Sequence, residues 1–261
     1  MKPLRLLLPV LAGAVFIGVW YAARNALGEE RQFLLPSPWQ VLTAFKTNSD
    51  ALLAASLNTA KGAVIGFGAA VAGSFLFALV LSLSPLVRAG LYPYLMMLQM
   101  TPVIVLAPIL VLWAGPGLAS VSIITFLICF FPMVVNTTQG LISTDPNLVD
   151  LFRMGKASKH QEIFLLRVPA ALPYFFTGLR IAATLAPIGA IVGDYTAGNA
   201  GSVGGGLGFL TIIYSSQFKM AALFATAFTG CLLGFIFVAV VVWLSWLCLH
   251  KWHDSFSSAD K

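Results

Sequence analysis

Residues 144–176 read TDPNLVDLFRMGKASKHQEIFLLRVPAALPYFF, and this stretch decides the fold. It is the only long segment that carries charge in a chain that is otherwise almost continuously apolar. Charged side chains are costly inside the hydrocarbon of a bilayer, whereas apolar runs of membrane-spanning length are stable there. The stretch is therefore expected to lie in water while its flanks lie in lipid.

The first half of the stretch has the pattern of an amphipathic helix. Asp145 followed by Pro146 is a favourable start, because Asp accepts hydrogen bonds from the free amides of the first turn and Pro needs no donor there. The apolar residues then fall on one face, at positions i, i+3, i+4 and i+7: Leu148, Leu151, Phe152 and Gly155. The charged residues lie on the other faces: Asp150, Arg153 and Lys156.

A second helix is predicted to begin at Ser158, because Gln161 follows at the spacing of a capping box. Pro169 and Pro173 are expected to limit its length. The stretch thus predicts two short helices with a Gly-containing joint. The apolar face of this pair either binds a partner or lies on the membrane surface, and the spacing leaves both alternatives open.

This stretch resembles the EAA loop of permease subunits of bacterial ABC importers, whose pattern is EAA, three residues, Gly, nine residues and I-x-L-P. Asp150, Leu151 and Phe152 stand at EAA, Leu166 and Val168 at Ile and Leu, and Pro169 at Pro. The Gly position holds Lys156, with Gly155 beside it, so the turn is expected to be displaced by one residue or built differently. The resemblance implies that the following residues couple the chain to an ATPase: Asp150, Leu151, Phe152, Gly155, Lys156, Ala157, Leu166 and Pro169.

The resemblance extends from the Pro36-Ser37-Pro38 motif to the run from Gly206 to Gly208. The run from Pro169 to Tyr174 and the Ser215-Ser216-Gln217-Phe218 segment look most like permeases that import pyrimidine or riboflavin-type vitamin compounds, followed by those for taurine and other sulfonates or nitrate. The resemblance implies a transmembrane subunit, without its own nucleotide site, that moves a small polar solute into the cytoplasm. The implied partners are a separate ATPase that holds ATP and Mg, an extracytoplasmic solute-binding protein and a second copy of the chain.

The composition also indicates a polytopic membrane protein. The chain is 59% hydrophobic and 9% charged, and its mean hydropathy of +0.92 exceeds that of water-soluble domains of this length. The formal net charge of +6 is spread over the ends of apolar runs and forms no basic stripe, so no nucleic-acid partner is expected.

The order of apolar runs predicts one all-α transmembrane domain over residues 1–261 with about six spans. The spans are expected at about 6–27, 57–83, 92–113, 118–141, 173–197 and 220–249, with an outer interfacial helix at 37–50, a coupling segment at 144–172 and a solvated tail at 250–261. The first run is too long for a signal peptide and is taken as an uncleaved span. With the N-terminus in the cytoplasm, the C-terminus is cytoplasmic too. Most Lys and Arg residues then lie inside, as expected in a bacterial inner membrane.

Two features within the spans concern packing and transport. Small residues recur every fourth position in the second span and favour contact within the subunit over a dimer seam: Gly62, Gly66, Ala70, Ser74, Ala78 and Ser82. Polar residues beside prolines are candidates for a translocation path: Gln99, Thr101 and Asn136. Asp194 either joins this path or lies at the outer boundary, where it caps a helix or pairs with Lys219.

Other chemistries are disfavoured. The three cysteines, Cys129, Cys231 and Cys248, lack zinc-site spacing and are expected to be buried thiols, so no metal site is predicted. No histidine lies within a span, which argues against an intramembrane hydrolase. An ion-coupled secondary carrier remains the alternative, although such carriers usually contain several intramembrane ionisable groups and here only Asp194 is present.

Overall fold

The computed structural model describes residues 2–197 and 205–249, and within these ranges the chain is all-α. The helices are α1 (Lys2–Ala26), α2 (Pro38–Thr47), α3 (Ser49–Leu83), α4 (Pro85–Met100), α5 (Val103–Ala114), α6 (Leu118–Ile142), α7 (Pro146–Met154), α8 (Lys159–Gln161), α9 (Val168–Ala197), α10 (Leu207–Ser216) and α11 (Met220–Leu249). A 3₁₀ turn covers Glu29–Leu34. The predicted tail at 250–261 and residues 198–204 lie outside the described residues.

Helix α6 forms the centre of the bundle, between α3 and α9. Gly62 of α3 packs against Val121, and Gly73 packs against Phe130, so α3 runs parallel to α6. Gly193 of α9 packs against Val121 and Gly178 against Asn136, so α9 runs antiparallel. The small residues of α3 face this core, which confirms the predicted contact within the subunit.

Five helices of the described chain are long and apolar enough to span a membrane, and α4 and α5 make a sixth span if they count as one. These two helices meet at a bend of 96° around Thr101 and Pro102. The sequence predicted one span with a proline in its middle, and the structure breaks it into two helices. Pro102 takes an extended backbone conformation and has no N–H to continue the ladder of α4.

The second helix of the 144–176 stretch does not end at its prolines, so the prediction that Pro169 and Pro173 limit it is wrong. A π-helical segment, Glu162–Arg167, joins α8 directly to α9. The Val168 N–H bonds to the carbonyl of Ile163 five residues earlier. This wider turn lets the helix continue although Pro169 and Pro173 have no N–H to donate. The result is one continuous helix of 39 residues, from Lys159 to Ala197.

The C-terminal part of α1 and helix α2 lie at the end of the bundle remote from α7, which we call the far end. Trp20 of α1 stacks near Phe224 and Phe228 of α11, and its indole N–H donates to the carbonyl of Pro36 at 2.9 Å. Capping boxes are present at Ser37, before α2, and at Ser158, before α8, as the sequence predicted.

Candidate functional site

Helix α7 exposes an apolar face, formed by Leu148, Leu151 and Met154. Leu151 is 57% exposed and Met154 is 75% exposed. Val149, on the opposite side, is buried and holds the helix against the rest of the protein. Of the other predicted face residues, Phe152 is half-buried and Gly155 is exposed. The apolar face of α7 is therefore open for contact with a further surface.

The turn after α7 is a Schellman motif with Lys156 in the left-handed conformation, at φ 55°. The Lys156 N–H bonds to the carbonyl of Arg153, and the Ala157 N–H bonds to that of Phe152, as this motif requires. Gly155 has an ordinary φ of −73°. The turn is thus not displaced: Lys156 itself takes the conformation for which Gly is best suited.

Two more apolar side chains are exposed just beyond this turn, on the π-helical segment: Phe164 and Leu165. The remaining residues of the predicted coupling set differ in exposure. Ala157 and Leu166 are half-buried, and Pro169 is exposed. The segment therefore presents apolar side chains on both sides of the Lys156 turn, among its charged groups.

Glu162 connects the parts of the segment through two arginines. The Arg167 guanidinium donates to its carboxylate at 2.8 and 2.5 Å and to the Leu141 carbonyl of α6 at 3.3 Å. Arg153 of α7 approaches Glu162 at 3.6 Å. Hydrogen bonding from Arg167 lowers the pKa of the Glu162 carboxyl below its usual value. Asp150 adds only an exposed pair with Arg153 at 3.8 Å, which contributes little.

Sequence reasoning did not identify Glu162, Arg153 or Arg167 as functional. The available signal was the opposite charge of Glu162 and Arg167 at a separation of five residues. Five residues is the repeat of the π-helical hydrogen bond, so the two side chains meet on one face of this segment. A standard α-helical reading looks for partners three or four residues apart and misses this pair.

The structure does not bring the four predicted pathway residues together. Gln99 is exposed and Thr101 is half-buried at the bend between α4 and α5. Asn136 lies between α6 and α9, where its amide donates to the Pro132 carbonyl at 2.8 Å. Asp194 lies at the far end of α9 and is only 6% exposed.

Asp194 takes part in a hydrogen-bonded cluster that joins three helices. The Thr59 hydroxyl of α3 donates to its carboxylate at 2.5 Å, and the Leu207 N–H donates to that hydroxyl at 2.9 Å. The Gly208 N–H also donates to the Asp194 carboxylate. Asp194 forms no ion pair with Lys219 within the described part of the chain. The carboxylate and hydroxyl thus accept hydrogen bonds from the first turn of α10, and of the two hypotheses for Asp194 the capping role fits this geometry.

The approach of α10 to this cluster depends on two glycines. A Cβ at Gly206 would overlap the carboxylate of Asp194, and one at Gly208 would overlap the Ile191 carbonyl of α9. Side chains at either position would push α10 away from α9 and break the cluster. The Gly206-Leu207-Gly208 motif therefore has a packing role.

One exposed face of α9 carries polar residues that the sequence analysis did not single out. Residues exposed along this face recur at helical spacing: Thr177, Ile181, Thr184, Ile188 and Tyr195. Thr177 and Thr184 donate their hydroxyls to carbonyls of α9 itself, and threonine is enriched where membrane helices pack against one another. The spacing of the face residues by three, four or seven positions was the signal that could have revealed them.

The cysteine prediction holds for one of the two side chains that the structure describes. Cys129 is buried in α6, whereas Cys231 is exposed, so the prediction of a buried thiol is wrong there. Cys231 lies on α11, where exposed side chains alternate with buried and half-buried ones in the described part of the helix. In the described ranges no three His, Cys, Asp or Glu side chains are grouped to hold a metal ion.

Comparison with known proteins identifies the family. Residues 58–255 match the family described as the binding-protein-dependent transport system inner membrane component. The chain belongs to this family. It is a multi-pass membrane protein and a permease subunit of an ABC importer.

The relatives of this permease are named for the transport of different compounds. It is 36% identical over 234 residues to the formylaminopyrimidine transport permease protein ThiX of Halalkalibacterium halodurans, which covers 89% of this chain and 91% of that protein. It is 34% identical over 222 residues to a probable ABC transporter permease protein of Haemophilus influenzae, covering 85% and 88%. A riboflavin transport system permease protein, RibX of Chloroflexus aurantiacus, is 30% identical over 190 residues, covering 70% and 69%.

Replacing Lys156 tests the turn after α7. Lys156→Gly is expected to stabilise the segment by about 1 kcal/mol, because glycine takes the left-handed conformation without a Cβ clash. Hydrogen exchange of the amides in residues 150–158 should slow, and the thermal unfolding midpoint in detergent should not fall. Lys159→Gly, at a position with negative φ, is the control and should give no gain. Equal effects of the two substitutions would contradict the assigned turn.

Replacing Thr59 tests the cluster around Asp194. Thr59→Val keeps the side-chain shape and leaves the Leu207 N–H and the carboxylate without the hydroxyl, which should cost about 1–3 kcal/mol of unfolding free energy. The thermal unfolding midpoint of the purified permease measures this loss. The control is Thr196→Val, because the Thr196 hydroxyl bonds only to carbonyls of its own helix. An unchanged midpoint for Thr59→Val would show that the cluster does not hold α10.

Proposed function

We propose that this permease is the transmembrane subunit of an ATP-driven importer that moves a small polar solute from an extracytoplasmic binding protein into the cytoplasm. The working unit contains two copies of the chain. ATP and Mg are held by a separate ATPase chain, which contacts residues 144–172. The observation that carries this proposal is the exposed apolar face of α7, defined above, on a segment too charged to enter lipid.

The length of the helix that follows α7 favours a protein partner over the membrane surface. At a rise of about 1.5 Å per residue, its 39 residues span about 58 Å. A bilayer with its headgroups is only about 40–45 Å thick. Because Lys159, Glu162 and Arg167 lie in its first turns, the excess length is assigned to the beginning of this helix, which extends into water together with α7 before it. The apolar face of α7 then cannot reach hydrocarbon. A protein partner is the remaining way to cover that face.

The segment is connected to the membrane helices in two ways. Arg167 bonds to Glu162 and to the end of α6, and α8 continues without a break into α9. A displacement of α7 by an ATPase would therefore move α6 and α9 together. Such a movement supports exchange between inward-open and outward-open arrangements, with ATP and the loaded binding protein each favouring one of them.

The exposed polar face of α9 is the part of the permease best suited to line the path of the transported solute. We assign Thr177, Thr184 and Tyr195 to the surface that meets the second copy, because threonine is enriched where membrane helices pack against one another. Gln99 and Thr101, at the bend between α4 and α5, are assigned to the same path.

The distribution of positive charge supports the orientation. Arg153, Lys156, Lys159 and Arg167 all belong to the segment, and Arg88 follows the end of α3 on the same side. The cytoplasmic side of membrane proteins carries this excess of Lys and Arg. We place the segment and both termini in the cytoplasm, with the permease in a bacterial inner membrane.

The proposed substrate is a pyrimidine or riboflavin-type compound, with sulfonates, taurine and nitrate as weaker candidates. The support is the order of similarity among relatives. The relative named for formylaminopyrimidine is 36% identical over 89% of this chain, and the one named for riboflavin is 30% identical over 70%. Those named for aliphatic sulfonates, nitrate and taurine are 27%, 28% and 30% identical over 74%, 74% and 64% of it.

A charge on the apolar face of α7 should uncouple transport from ATP hydrolysis. Leu151→Glu places a carboxylate where the ATPase is proposed to bind, so solute-stimulated ATPase activity and uptake in proteoliposomes should both be lost. The control is Ser143→Glu, which adds the same charge at an exposed site outside α7 and should retain both activities. Full transport by Leu151→Glu would refute the proposed coupling surface.

The substrate class is tested on the binding protein that works with this permease. Titration with a ligand panel should give binding to formylaminopyrimidine or riboflavin-type compounds, and the loaded protein should stimulate ATP hydrolysis by the reconstituted complex. Taurine, an aliphatic sulfonate and nitrate serve as comparison ligands. Stimulation by one of these alone would reject the substrate class and leave ATP-driven import intact, whereas uptake driven by an ion gradient without ATP would reject both.

A further inference from the structure

An open cleft of about 630 Å³ lies at the far end of the bundle. Its walls come from the end of α1, the Glu29–Leu34 turn, α2 and the beginning of α11. A volume of this size is typical of small-molecule sites in proteins. The cleft is remote from the α7 segment, and the transport mechanism above makes no use of it.

The cleft offers hydrogen-bond donors. The Nε atom of Arg24 is buried and has no hydrogen-bond partner, and Arg24 forms no ion pair in the described ranges. Gln40 uses its amide oxygen to accept from the Ser37 N–H, which leaves its amide nitrogen as a free donor. Gln32 adds a second amide. Neither Glu29 nor Glu30 lines the cleft, so no carboxylate of the adjoining turn neutralises Arg24 there.

The two threonine hydroxyls in the cleft are already used in hydrogen bonds within α2. Thr43 donates its hydroxyl hydrogen to the Trp39 carbonyl at 3.0 Å, and Thr47 donates to the Thr43 carbonyl at 2.9 Å. An arginine with two amides favours an anion, and a guanidinium is particularly suited to phosphate.

The other wall of the cleft is apolar and includes Phe33, Ala44 and Met220. Trp39, on the same helix as Gln40, is 69% exposed, and aromatic side chains of this kind are typical of the membrane–water interface. A free phosphate would leave the apolar wall uncovered, whereas the glycerol and upper acyl groups of a lipid would cover it. Position, charge and wall composition therefore agree on one class of ligand.

We propose that this cleft binds the phosphate group of an anionic phospholipid. The bound headgroup contacts α1, α2 and the start of α11 at once. Among the α1 side chains that the structure describes, only Trp20 and Arg24 are half-buried, and Trp20 contacts α11 and the Pro36 carbonyl. The lipid thus fastens α1 to the core.

Native mass spectrometry of the purified full-length permease, exchanged into phosphatidylglycerol, tests this proposal. The wild type is expected to retain one phosphatidylglycerol per chain that survives removal of bulk lipid. Arg24→Gln should lose it. The control is Arg31→Gln, which removes an exposed charge from the adjoining Glu29–Leu34 turn without touching the cleft and should retain the lipid. Equal retention by wild type and Arg24→Gln would overturn the proposal.

Two further measurements separate the alternatives. If Arg24→Gln does not fold, Gln32→Glu introduces a repelling carboxylate while keeping Arg24, and it should lose the lipid. Retention by that variant would contradict the site. Delipidated permease is also titrated with inorganic phosphate in the presence and absence of phosphatidylglycerol. Phosphate binding that phosphatidylglycerol does not displace would assign the cleft to a soluble anion and reject the lipid.

Discussion

The ion pair between Glu162 and Arg167 holds the charged 144–172 segment to the long helices α6 and α9. Their side chains are only 13% and 19% exposed, so this contact is less screened than the exposed pair of Asp150 and Arg153. Arg167 also satisfies the Leu141 carbonyl, one of the acceptors that the end of α6 leaves without an intrahelical partner. Through this arrangement α7, α6 and α9 form one mechanical unit.

The membrane part of the unit depends on small residues rather than on large interlocking side chains. The hydrophobic effect does not drive helices together inside hydrocarbon. Van der Waals contact between closely packed backbones has to supply the attraction. Gly66 and Gly193 allow α3 and α9 to lie directly against α6. Where polar groups are buried at the far end, Thr59, Asp194 and the start of α10 satisfy one another.

The sequence was sufficient for features that depend on local spacing. The capping boxes at Ser37 and Ser158, the small-residue face of α3 and the location of the charged segment all follow from residues a few positions apart. Thr59 and Asp194 are 135 residues apart, so their contact could not be inferred from any local pattern. Helix continuation through Pro169 was missed because a π-helical turn compensates for the absent donor, and proline rules assume ordinary α-helical bonding. The apolar face of α7 could be predicted, but the arginines that hold α7 in place could not.

The bend between α4 and α5 has a consequence for solvent. The N-cap residue of α5 is Pro102, whose side chain cannot accept a hydrogen bond, and within the described residues the amides of Val103 and Ile104 at the bend have no capping side chain. Such groups are too polar to remain bare in hydrocarbon. Water or a neighbouring chain has to reach them, so lipid alone cannot cover this corner of the bundle.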